Sequence, residues 1–134
     1  MPKILALDLG DSWTGTALSD ASKMFARPFQ TVKTTELELF LIKTLQEEKI
    51  DTVVVGYPQT LKGTESAQTK KIVEHKELLE KKHPEQKWIL WDERYTSQHA
   101  KDIQGKKVDK QKSHSIAAAL ILETYLINLG NTFI

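Results

Sequence analysis

The sequence predicts an α/β fold, a mixed five-stranded sheet flanked by helices, with its first strands antiparallel and its later ones parallel. Three observations carry this. Short apolar runs, Ile4 to Leu7 and Val53 to Val55, have the continuous character of strands buried on both faces. Between them Leu37, Leu41 and Leu45 recur at helical spacing. The order of elements, three strands and then helix, strand, helix, strand and helices, requires crossovers only in its second half.

Taken in order, Ile4 to Asp20 (ILALDLGDSWTGTALSD) reads as a strand, a turn at Gly10 and Asp11, and a second strand over Thr14 to Leu18. Asp8 ends the first strand. Burying an unpaired carboxylate costs several kcal/mol, so a cation, a metal or hydrogen bonds from the turn must compensate. Phe29 to Val32 is a third strand, placed at an edge or begun after Pro28. Thr35-Glu36-Leu37-Glu38 matches a capping box, with Thr35 as N-cap of a helix running through Glu48. Asp51 to Gly56 is a buried strand stopped by Pro58. Gln59 to Thr64 is a polar loop, in which Lys62 and Gly63 suit a phosphate or serve as ordinary turn punctuation. A charged helix follows from Glu65 to Lys82, its modest apolar face made by Ala67, Ile72, Val73, Leu78 and Leu79. Lys87 to Trp91 (KWILW) is the last strand and runs into Asp92, Glu93 and Arg94. A short helix over Ser97 to Gln104, a basic loop over Gly105 to Lys112 and a well-buried helix over Ser115 to Leu129 complete the chain.

At 134 residues the chain is expected to form one domain, 1–134. A net charge of +1 does not announce a nucleic-acid binder, so any such contact must come from local clustering. With no cysteine, disulfides and thiolate metal sites are excluded. Met1-Pro2-Lys3 leads into a strand with no signal-peptide pattern, and no apolar run approaches the ~18 residues of a membrane span. A cytoplasmic protein without membrane partners is the expectation.

The chemical signal is acidic. Asp8 and the Asp92-Glu93 pair end two strands, and sites in α/β sheets form at the carboxyl ends of parallel strands. If those two strands are parallel and adjacent, the carboxylates converge, and a hard divalent cation relieves their repulsion. The same residues also suit plainer roles, Asp8 capping its turn and Glu93-Arg94 forming a surface ion pair. Lys101, Lys106, Lys107, Lys110 and Lys112, against Asp102 and Asp109, leave a local positive excess before the last helix, fit for a phosphate backbone or for solvent. Trp88 and Trp91 read as core, whereas Trp13, in the first turn, is expected to be exposed and able to stack. His75, His83 and His99 show no ligand spacing.

Five segments together resemble the YqgF/RuvX family: LALDLGDSWTGTALSD, RPFQTV, VVVGYPQTLKGTES, WDERYTS and KSHSIAAALILETYL, in the family's order and over nearly the whole chain. That family is described as Holliday-junction resolvases and as nucleases maturing the 5′ end of pre-16S ribosomal RNA, with a ribonuclease H-like fold. The resemblance implies Asp8 as first catalytic acid and Asp92-Glu93-Arg94 as the family's DER motif. The third acid, at the start of the last helix, is here His114. Asp109, five residues earlier, does not share a helical face with it. The implied catalytic set is Asp8, Glu93 and His114. The implied ligands of Mg²⁺ or Mn²⁺ are Asp8, Asp92, Glu93 and His114, with Glu93 preferred to Asp92. Imidazole shifts preference towards Mn²⁺. Lys62, Arg94, Lys107, Lys110 and Lys112 are the implied nucleic-acid contacts, on precursor rRNA or branched DNA, by a monomer or homodimer. The alternatives are a catalytically weakened nucleic-acid-binding homologue, motivated by His114, and, last, an ATP-binding domain of the actin and sugar-kinase type, which needs two such domains and a much longer chain.

Overall fold

A computed structural model of the protein describes residues 2–57, 67–92 and 110–131, with the side chains of 110–112 and 131 left aside. Strands β1 (Lys3–Asp8), β2 (Trp13–Ser19), β3 (Ala26–Lys33), β4 (Ile50–Tyr57) and β5 (Lys87–Asp92) form one sheet in the order β3-β2-β1-β4-β5. The pairs β1–β2 and β2–β3 are antiparallel, while β1–β4 and β4–β5 are parallel. Helices α1 (Leu37–Glu47), α2 (Ala67–Lys82) and α3 (Lys110–Asn131) complete the described elements. The mixed sheet with flanking helices is the expected class.

Two apolar clusters explain why the central strands read as continuous hydrophobic runs. Leu5, Leu7, Leu18, Val53, Val55 and Trp88 pack with Leu37 and Leu41 of α1 and Ile72 and Leu79 of α2. Ile4, Ala6, Ala17 and Val54 pack with Ala118, Ile121, Leu122 and Tyr125 of α3. Side chains alternate along a strand, so even-numbered residues of β1 face α3 and odd-numbered ones face α1 and α2. Asp8 therefore lies on the α3 face.

Pro28 is accommodated within β3 because β3 is the edge strand and its pairing with β2 is irregular between Gly15 and Ala17. There the Thr16 hydroxyl accepts from Gln30 N at 2.9 Å and donates to Gln30 O at 2.6 Å, replacing the ladder bonds that the irregularity displaces.

Four expectations are corrected. Thr35 does not cap α1: residues Thr34–Glu36 form a 3₁₀ turn before it, and neither helix start has a side-chain cap. An N-cap needs extended backbone, which here falls at Lys33 (φ −64°, ψ 135°). Glu38 instead pairs with Lys82 of α2, which holds its carboxyl below the usual range. On α2, Ile72 and Leu79 are buried but Leu78 and Ala67 are exposed, and Thr69 supplies the third buried position. The last helix begins at Lys110, five residues earlier than Ser115. Lys, Gln and Ser cost a helix little, and no glycine or proline interrupts them. Trp13, expected in the turn and exposed, instead opens β2 and is half-buried, because the turn is already closed at Gly10 to Ser12. Trp88 is buried, and Trp91 stacks edge-on against Tyr125 while its Nε1 donates to Thr124 Oγ1 at 2.9 Å. No described helix is long and apolar enough to cross a membrane. The loop 59–64 and the helix 97–104 lie outside the described residues.

Candidate functional site

Asp8 ends β1 directly opposite Gly15 of β2. Gly15 is where the sheet touches α3: a Cβ there would lie 1.9 Å from the carbonyl oxygen of His114, 2.2 Å from its carbonyl carbon and 2.9 Å from Ser115 N. Only glycine lets helix backbone settle that closely on a strand. The close approach sets the second turn of α3 over the end of β1, and His114 Nδ1 stands 3.9 Å from Asp8 Oδ2. Both side chains keep access to solvent, at 38% and 24% exposure.

The turn after Asp8 is held from three directions. A Cβ on Gly10 would meet the Trp13 carbonyl oxygen at 2.3 Å, so the tight turn requires glycine. Thr34 Oγ1 donates to Gly10 O at 2.7 Å and lies 2.9 Å from Thr14 Oγ1, while Thr34 N donates to Ser12 O at 3.0 Å. Thr14 is fully buried. With the Thr34 proton committed to Gly10, the Thr14 hydroxyl donates to Thr34. This chain of hydroxyls fixes residues 10–12 against the start of the 3₁₀ turn.

An oxygen and a nitrogen 3.9 Å apart are too distant for a hydrogen bond. They are close enough for both to contact one divalent cation at ligand distances of about 2.0–2.2 Å. The Asp8–His114 gap thus fits a metal, although among the described residues no group of three or more candidate ligands assembles.

The adjacency of β1 and β5 on which convergence of the acids is conditioned does not hold. β4 lies between them, because Val53 to Val55 pair with Leu5 to Leu7. Asp92 shares the parity of Trp88, whose cluster also takes in Leu90, and so sits on the sheet face opposite Asp8, two strand spacings away, roughly 10 Å. It is buried there. Lys62, Glu93, Arg94 and Lys107 lie outside the described residues. Lys110 and Lys112 belong to the first turn of α3, with their side chains outside the description. Sequence reading missed Gly15, Thr14 and Thr34. A glycine inside a strand was the available signal for the first; the hydroxyl chain depends on long-range packing and left none.

A family model described as RuvX: Holliday junction resolvase matches residues 2–128. A protein of Rubrobacter xylanophilus named "Putative pre-16S rRNA nuclease" is 35% identical over 130 residues, covering 92% of this chain and 91% of that one. One of Christiangramia forsetii with the same name is 39% identical over 133 residues, covering 94% and 98%. Among solved structures, Thermus thermophilus RuvC in complex with a Holliday junction substrate superposes with a TM-score of 0.62 at 14% identity, covering 97% of each chain. The yeast mitochondrial Holliday junction resolvase does so with a TM-score of 0.58 at 10% identity, covering 99% of this chain and 85% of that one. At such identities these two likenesses speak to the fold, which is the ribonuclease H-like fold of RuvC-type resolvases.

Proposed function

This chain belongs to the RuvX family, and from that premise we propose that it is a phosphodiester-cleaving hydrolase, a cytoplasmic metal-dependent nuclease acting on the 5′ end of precursor 16S rRNA. The observation that carries the reading is the approach of His114 to Asp8 at the carboxyl end of the central strand. The RNA substrate is preferred to a DNA junction because relatives at 35% and 39% identity over nearly the whole chain are named for it; the family model is described by the junction, but the solved junction resolvases share only the fold, at 10–14% identity.

Asp8, His114 and Glu93 would hold Mg²⁺ or Mn²⁺. Glu93 enters as the ligand that the family resemblance implies; Asp92, on the sheet face opposite Asp8, is left without a ligand role. When bound, a divalent ion neutralises the site and stabilises charge on a phosphate. The protein's own part is to hold the Asp8 carboxylate at a fixed strand end, to seat the imidazole over it through the Gly15 contact, and to restrain the turn after Asp8 through Thr34. Arg94, Lys62, Lys107, Lys110 and Lys112 are proposed to contact the nucleic-acid backbone, which positions a substrate without selecting its sequence.

A second reading, a nucleic-acid-binding homologue with weakened catalysis, is favoured by one observation: an imidazole occupies the position where the resemblance places an acid. One experiment separates the two. The purified protein and its Asp8→Asn variant are incubated with a 16S precursor carrying its 5′ leader and, in parallel, with a four-way DNA junction, each in Mg²⁺ or Mn²⁺. Shortening of the RNA by the native chain alone supports the nuclease; cleavage of the junction alone replaces the substrate. Binding without cleavage in either ion establishes the second reading, and equal cleavage by the variant removes Asp8 from the mechanism.

A further inference from the structure

We propose that Trp13 and Lys33 form a nucleotide platform beside the Asp8–His114 site, with an unpaired base stacked on the indole and its phosphate held by the ammonium. The inference rests on the nuclease reading and names which part of the surface takes the strand that leads away from the cut.

The placement follows from register. Gly15 lies opposite Asp8 and touches His114 on the α3 face, and Ala17 joins the cluster beneath α3. Trp13 has the same parity on β2, so it is on the face that carries Asp8 and His114. It stands two residues, about 7 Å, beyond the level of Asp8 and one strand to the side. Lys33 of edge strand β3 pairs directly with Trp13 and shares that face. Paired residues bring their Cβ atoms to about 5 Å, so the two side chains rise from neighbouring points at the rim of the site.

Trp13 is unlike the other two tryptophans. Trp88 and Trp91 belong to the apolar clusters, and each indole N–H donates to a described partner, His83 O and Thr124 Oγ1. Trp13 belongs to neither cluster among the described residues and is only half-buried. Lys33 is exposed, and among the described residues no carboxylate pairs with it. Its backbone support is firm: the Gly10 turn packs on the Trp13 carbonyl, and Thr34 N closes the ladder on Ser12 O. A ring carried on a backbone fixed in advance loses less freedom on binding than one on a mobile loop. A base can stack on it only if its own face is free, as in single-stranded segments, and stacking of this kind tolerates any sequence. The committed occupant is therefore an unpaired nucleotide adjoining the scissile phosphate.

The test uses the full chain in chelator, so that nothing is cut, with a twelve-residue oligouridylate and an RNA duplex of equal length as probes. Native protein is expected to bind the single strand with quenching of tryptophan fluorescence. Trp13→Phe should melt with the native protein yet lose the quench. Trp13→Ala should weaken single-strand binding about five- to hundredfold and duplex binding little. Lys33→Ala should lower the salt slope of single-strand binding by about 0.7, one phosphate contact. Native affinity in Trp13→Ala, or a quench that persists in Trp13→Phe, overturns the platform while leaving the nuclease reading in place. Failure of the native chain to bind either probe also overturns the platform, and the nuclease reading is then decided by the cleavage assay alone.

Discussion

Gly15→Ala tests the contact on which the site depends. The added methyl would stand 1.9 Å from a backbone oxygen and 2.2 Å from a backbone carbon of His114. Neither neighbour can rotate away, so strand and helix must separate by about 1 Å or more to reach ordinary contact. Forcing extra volume into a packed interface costs about 1–3 kcal/mol, against which replacing a strand glycine returns about 0.5–1 kcal/mol. The expected net loss is about 1–2 kcal/mol, read as a fall in the urea midpoint of roughly 0.5–1 M at unchanged slope. Gly130 supplies the control, because nothing lies within 4 Å of a Cβ built there; Gly130→Ala should be neutral or slightly stabilising. Lifting α3 also lengthens the 3.9 Å gap between His114 and Asp8. The stabilisation that Mn²⁺ gives the native chain should therefore shrink in Gly15→Ala and persist in Gly130→Ala. A Gly15→Ala midpoint at or above the native value would show that the helix does not rest on this strand, and the account of how His114 is seated would fall with it.

Other predictions concern the site and the turns that frame it. His114→Asp should move the ion that best raises the melting temperature from Mn²⁺ towards Mg²⁺ and lower stability in chelator, since two carboxylates then face each other without a cation; identical melting curves in both ions would place His114 outside any metal site. Thr34→Ala strands the fully buried Thr14 hydroxyl and frees the Gly10 carbonyl, a loss of about 1–3 kcal/mol in a urea titration; an unchanged midpoint would remove the hydroxyl chain as a support of the turn after Asp8. Asp20 has its carboxyl lowered to about 2, first by the Ser22 hydroxyl and then by the Phe25 and Met24 amides. A depressed carboxylate stabilises above its unfolded value of about 3.9 and ceases to as pH falls through its folded one. Asp20→Asn should therefore melt below the native protein near neutrality, with the difference closing between about pH 4 and pH 2; a gap independent of pH would refute the linkage.

What was legible in the sequence follows from which interactions are local. Ile4 to Leu7 and Val53 to Val55 announce buried strands because a strand covered on both faces has no polar positions to spare. Pro28 marks an edge because proline cannot donate to a second neighbour. The start of α1 was misjudged for an equally physical reason. Thr35 and Glu38 have the spacing of a capping box, but the chain is already turning at Thr34, whose amide and hydroxyl are committed to Ser12 and Gly10 from a distant loop. A motif of four residues carries no trace of that competition.

The acids show the same limit at the site itself. Asp8 and Asp92 each end a strand, and spacing alone does not rank one above the other as a partner for His114, although the family resemblance puts Asp8 first. Two facts of packing separate them: β4 intervenes between their strands, and a period of two sends Asp92 to the face of α1 and α2. A shift of one residue in β5 would reverse the second fact. Which carboxylate can face His114 therefore depends on register, and register here is fixed by which of Trp88 and Ile89 is buried against which cluster. The larger ring of Trp88 goes to the α1 and α2 side, where its indole donates to His83 O at 2.9 Å. Exchanging those two side chains would place a bulky ring under α3 and strand an indole N–H. The apolar packing of β5 thus sets the face on which its terminal carboxylate, Asp92, lies.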